Sequence, residues 1–149
     1  MSSIEIRDDV ANYIESVIDD EVVFPVPEVE VRKIVVPVVE LEKESGYVID
    51  VYPLTLAASR EYRDDWVRTY TIRVVIRTMN ASRSPSAIAA AEEAFVAFSE
   101  WLQNQLMLMR LSTSYVLSTV QDRETFVRDV YVENAMLVTV LDLELVAHG

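Results

Sequence analysis

The chain of 149 residues has no cysteine, one histidine and only 2 glycines. Each scarcity closes a door. Without cysteine there are no disulfides and no thiolate metal ligands. That is compatible with a reducing compartment. The lone imidazole, His148, sits one residue from the end, on a stretch expected to fray. A general base needs a fixed position and a partner in hydrogen-bond reach, so His148 is not expected to catalyse. Two glycines are too few for a phosphate-cradling loop or a dinucleotide fingerprint. No apolar run approaches the ~20 residues of a membrane span. The longest candidate, Ile34–Val39, is short and contains Pro37. The start, Met1-Ser2-Ser3-Ile4-Glu5, has no basic segment followed by a hydrophobic one, so no signal peptide is expected. Positive charge is also scarce: 13 Lys and Arg stand against 25 Asp and Glu, a formal net charge of −12. Gripping nucleic acid requires phosphate neutralisation by cations, so sequence-specific binding to DNA is not expected.

What is present describes a folded chain. Hydrophobic residues make up 51% and charged residues 26%, which is incompatible with a disordered polymer. The length suits a single domain, residues 1–149. Ile6, Val10, Tyr13, Ile14, Val17 and Ile18 recur at three- and four-residue steps and predict a helix over Glu5–Asp20. Ser2 and Glu5 have the spacing of a capping box. Val22–Glu44 is rich in Val and Glu and interrupted by Pro25, Pro27 and Pro37. Proline removes a ladder donor, so this stretch reads as an extended arm or edge strand, about Val29–Val36, continued by Val38–Glu42. Glu44-Ser45-Gly46 signals a turn, and Tyr47–Tyr52 a strand closed by Pro53. Leu54–Asp65 has no strong period and reads as a connection with one helical turn.

Trp66–Thr78 carries the clearest alternation. Tyr70, Ile72, Val74 and Ile76 point one way; Thr69, Thr71, Arg73 and Arg77 point the other. The second face should offer Arg and Thr to water or to a partner. Met79–Ser84 reads as a loop. Ser84-Pro85 then starts a helix, Pro85–Met109, with Ile88, Ala91, Phe95, Phe98, Leu102, Leu106 and Met109 on its stripe. Ser114–Val120 predicts a strand and Gln121–Glu124 a polar turn. Phe126–Val132 is a loop or strand. Ala135–Ala147 is the last strand, with Leu137, Leu141, Leu143 and Leu145 on one face and Asp142 and Glu144 on the other. The expected fold class is α+β: an antiparallel or mixed sheet of about four to five strands with two helices packed on one side.

No catalytic, cofactor-binding or metal-binding set emerges. The adjacent acids Asp8-Asp9, Asp19-Asp20, Asp64-Asp65 and Glu92-Glu93 diverge on either kind of element, so none forms a shared site. No segment matches a calcium loop, which needs alternating acids around a turn glycine. Ser59, Ser82, Ser84 and Ser86 lack the setting of a nucleophile elbow and read as turn and cap residues. The residues that stand out as a candidate subunit or partner interface are Arg60, Arg63, Asp64, Asp65, Arg73 and Arg77. Arginine is enriched at interfaces, and exposed surface is the plainer reading.

In this layout the chain resembles the tail-terminator, or tail-completion, proteins of long-tailed bacteriophages. The resemblance rests on an opening amphipathic helix, the Pro-interrupted segment 22–44 and the strand ending Val51-Tyr52-Pro53. It continues through Arg60-Glu61-Tyr62-Arg63-Asp64-Asp65, the strand Tyr70-Thr71-Ile72-Arg73-Val74-Val75-Ile76, a long helix and closing strands. It implies a virion protein of the tail and neck, assembled in the host cytoplasm and not an enzyme. Copies would close into a ring, usually a hexamer, that caps the tail tube and joins it to the head–tail connector. DNA would pass through the lumen without specific binding, and an acidic wall suits that passage. Val22–Glu44 and Met79–Ser84 would contact neighbours. The resemblance implies no cofactor and no membrane. The competing expectations are another neck or tail component, such as a head-completion or tail-tube protein, and a small non-enzymatic adaptor domain.

Overall fold

The computed structural model describes residues 3–20, 29–35, 46–61, 65–79, 85–110, 115–125 and 136–148. In chain order these form α1 (Ser3–Asp20), β1 (Val29–Lys33), β2 (Tyr47–Glu61), β3 (Asp65–Met79), α2 (Pro85–Met107), β4 (Tyr115–Thr125) and β5 (Met136–His148). The strands make one mixed sheet in the order β1-β2-β3-β5-β4. β1 runs parallel to β2, and the other neighbours are antiparallel. The fold is α+β.

One core explains the architecture. Ile6, Val10, Ala11 and Ile14 of α1 gather with Phe95, Phe98, Leu102 and Leu106 of α2. The same cluster takes Ile49 and Val51 from β2, Tyr70, Ile72, Val74 and Ile76 from β3, and Leu137, Leu141, Leu143 and Leu145 from β5. The register makes these strand residues one face: Ile49 pairs with Ile76, Val51 with Val74, Ile72 with Leu143 and Tyr70 with Leu145. Burying each such side chain stabilises by about 1.5–3 kcal/mol. The helical stripes and the alternation in β3 therefore serve one interior. The hydroxyl of Tyr13 donates to the Gln105 carbonyl at 2.7 Å, clipping α1 to the last turn of α2. That carbonyl also accepts from the Leu108 N–H at 3.2 Å, in the tightened turn at the helix end.

Four sequence expectations need correction. β2 does not close at Pro53, and Leu54–Glu61, expected as part of a connection with one helical turn, is strand. β2 continues to Glu61, with a register shift between Pro53 and Thr55. A bulge is a place where a strand tolerates proline, because the ladder is interrupted there anyway. Likewise Gln121–Glu124 is not a turn: β4 runs through it to Thr125, with shifts at Leu117/Thr119 and Asp122/Glu124. Polar residues and bulges mark an edge strand as readily as a turn. β1 ends at Lys33, short of the expected Val36. His148 is not at a loose end, since its backbone pairs with Val67. The expectations for Ser2, Val38–Glu42, most of Met79–Ser84 and Phe126–Val132 fall outside the described residues. Of the turn expected at Glu44-Ser45-Gly46, Gly46 is described; its φ of 71° is one where a Cβ would be costly.

Candidate functional site

The sheet face opposite the core is polar, and its polarity is internally paired. Strand alternation puts Arg32, Asp50, Tyr52, Arg73, Arg77 and Asp142 on it. Arg32 lies directly across from Asp50, and Arg73 lies between Tyr52 and Asp142. Arg77 sits one diagonal step from Asp50, whose direct partner on β3 is Val75. The Arg32 guanidinium donates to both carboxylate oxygens of Asp50, Nε at 2.7 Å and Nη2 at 3.2 Å. Arg77 Nη1 donates to Asp50 Oδ2. Arg73 holds Asp142 in the same two-pronged way, at 2.8 and 3.0 Å. Hydrogen bonding to Asp142 raises the Arg73 pKa above its ordinary value; burial opposes that shift and is outweighed.

Burial grades these pairs. The side chains of Arg77 and Asp50 are each 2% exposed, whereas Arg32 is 25% and Arg73 29% exposed. Val48 and Val138, the register neighbours of Arg77, are also buried. Arg77 is thus interior, not presented to water as the alternation of β3 suggested. The ladder cross-links β1, β2, β3 and β5.

The six residues singled out from the sequence do not form one site. Arg60 and Asp65 are brought to one end of the β2–β3 hairpin, where Arg60 pairs with Trp66 and Glu61 with Asp65. Arg63 and Asp64 lie outside the described residues. Arg73 and Arg77 lie farther along β3, roughly 25–40 Å from Asp65 at strand rise. Arg32, Asp50 and Asp142 were missed as a set. Their signal was a lone acid inside an apolar strand, Val48-Ile49-Asp50-Val51 and Leu141-Asp142-Leu143, with arginines on other strands.

The core face has a second polar contact, between the hydroxyls of Ser99 and Thr139 at 3.1 Å. Tyr47 closes one end of the core by edge contacts to Phe95 and Phe98, with ring centres 5.9 and 5.0 Å away. Among the described residues no group of three His, Cys, Asp or Glu side chains is placed to hold a metal ion. No described helix is long and apolar enough to cross a membrane. No family model matches the chain, and no curated protein matches it.

Proposed function

We propose that this protein is a structural subunit that closes with copies of itself into a ring, of the tail-terminator type found in long-tailed bacteriophages. The observation that carries the reading is the shape of the β2–β3 hairpin. Its strands stay paired from Tyr47↔Thr78 to Glu61↔Asp65, about 50 Å of ladder at ideal rise. β1 accompanies β2 only as far as Val51. Among the described residues, Tyr52–Glu61 therefore has β3 on one side and no strand on the other. A long unpaired edge is a template for another chain. The ladder, whose two carboxylates are each held by arginine, supports a building block, and the net charge of −12 suits a lumen through which DNA slides.

In this reading the ring acts by shape. One face binds the last ring of tail-tube protein and ends its growth. The other docks the head–tail connector, placing the protein in the tail and neck of the virion. Arg60 and Asp65, at the hairpin end, and Arg63 and Asp64, their neighbours in sequence, are the residues we assign to contacts between subunits or with the tube.

Incubation with purified tail tubes, followed by negative-stain imaging, tests the proposal. Closed rings seated on tube ends are expected. Open-ended filaments of this protein alone would identify a tube protein instead. Monomers or dimers that ignore the tubes would leave an adaptor domain.

A further inference from the structure

We infer that β1 is an exchangeable strand: in the assembled ring, Val29–Lys33 of one copy occupies the slot beside β2 of the next. The inference rests on the ring reading and specifies the joint that makes it. Three observations point to β1 as the strand that moves.

First, among the described strands β1 is the shortest, five residues at the sheet edge, and the only one paired in parallel, a pairing slightly weaker per residue. Beyond the ladder, described contacts at its end are few. Ile34 N–H donates to Val51 O at 3.1 Å, and Arg7 Nη1 donates to Ile34 O at 3.1 Å. Val29 and Val31 are half-buried against the core rather than within it. Elements with few buried apolar contacts open first.

Second, the ionic ladder tolerates the loss of β1 alone. When Arg32 leaves, Asp50 keeps its buried partner Arg77. Arg32, already a quarter exposed, returns to water at little cost. Removing β5 instead would carry Asp142 off with it and take from Arg73 the carboxylate that accepts two of its hydrogen bonds. The departure of β1 leaves the buried acid Asp50 paired.

Third, the occupant of the vacated slot is specified by the slot. It presents Asp50 opposite the position that Arg32 fills, and core-facing positions beside Tyr47 and Ile49 that Val29 and Val31 fill. A second copy of Val29–Lys33 satisfies every one of these positions. Exchange of identical elements keeps the contacts of the closed protomer, so association is favoured by mass action without a new interface having to form.

The chain has no cysteine, so single thiols can be placed at will. Val29 and Tyr47 are register partners across β1 and β2, at a separation that suits a disulfide. The test mixes two proteins, V29C alone and Y47C alone, under mild oxidation, with the mass of the assembly measured in parallel. Expected is a covalent V29C–Y47C heterodimer, lost on reduction. A mixture of K33C with Y47C, far out of register, should give at least tenfold less. Should Y47C fail to fold, E30C with V48C probes the adjacent register pair. Closed rings without a heterodimer, and a V29C/Y47C double variant that links only within its own chain, would refute exchange and leave the ring reading standing. No heterodimer and no assembly would overturn both. A heterodimer in particles that are not rings would support exchange and overturn the ring.

Discussion

Replacing Asp50 by alanine removes the carboxylate on which two guanidinium groups converge. Its side chain is 2% exposed and so is that of Arg77, so D50A takes from a buried cation the carboxylate its Nη1 donates to. Breaking a buried ion pair from one side costs about 3–5 kcal/mol, because the remaining charge loses its compensation. For a chain of this size each kcal/mol lowers Tm by about 2–4 °C, so D50A should melt roughly 6–20 °C below the parent. R32A is the internal control. It removes a donor that is a quarter exposed and leaves Asp50 with Arg77, so it should cost only about 1–2 kcal/mol. The pair D50L/R77M removes both buried charges together and should recover most of the D50A loss. Urea unfolding at one fixed protein concentration reads all four proteins, since assembly makes apparent stability concentration-dependent. A D50A loss below about 1 kcal/mol, or one equal to that of R32A, would refute the buried ladder.

Three further outcomes follow from the core and its margins. Burial raises the pKa of both Tyr13 and Tyr47 above 10.0, so the unfolded chain releases these protons first. Stability is therefore fully present below pH 10.0 and falls as pH rises beyond it; alkaline unfolding read by circular dichroism, with tyrosinate absorbance lagging behind that of free tyrosine, checks this. F98A, which opens a hole beside Tyr47 and Trp101, should cost about 3–5 kcal/mol in urea unfolding. S99A leaves the Thr139 hydroxyl buried without its partner and should cost about 1–3 kcal/mol, whereas S99A/T139V should be milder than S99A alone.

How much of this was legible in the sequence depended on what fixed each feature. β3 was readable because one of its faces is fully buried, which forces a strict period of two on Tyr70, Ile72, Val74 and Ile76. The stripe of α2 was readable for the same reason at a period of 3.6. Pro53 misled because a proline that ends a ladder and one that sits at a bulge look alike locally; the difference lies in the partner strand. The polar tract Gln121–Glu124 misled because an edge strand carries the composition of a turn. For the ladder, parity was legible and burial was not. Arg77 and Asp50 are 27 positions apart, and Arg73 and Asp142 are 69 apart. Only the strand order brings them together. The parallel register of β1 on β2, which sets Arg32 against Asp50, has no local signature at all.

The function proposed here stands on self-association into a closed particle. Its most direct test is the mass of the purified protein by native mass spectrometry and sedimentation across a wide range of concentration. One discrete multimer of fixed subunit number, which stops growing as protein is added, is expected. A lone subunit that persists at the highest concentration, or a ladder of ever-longer polymers, would contradict it.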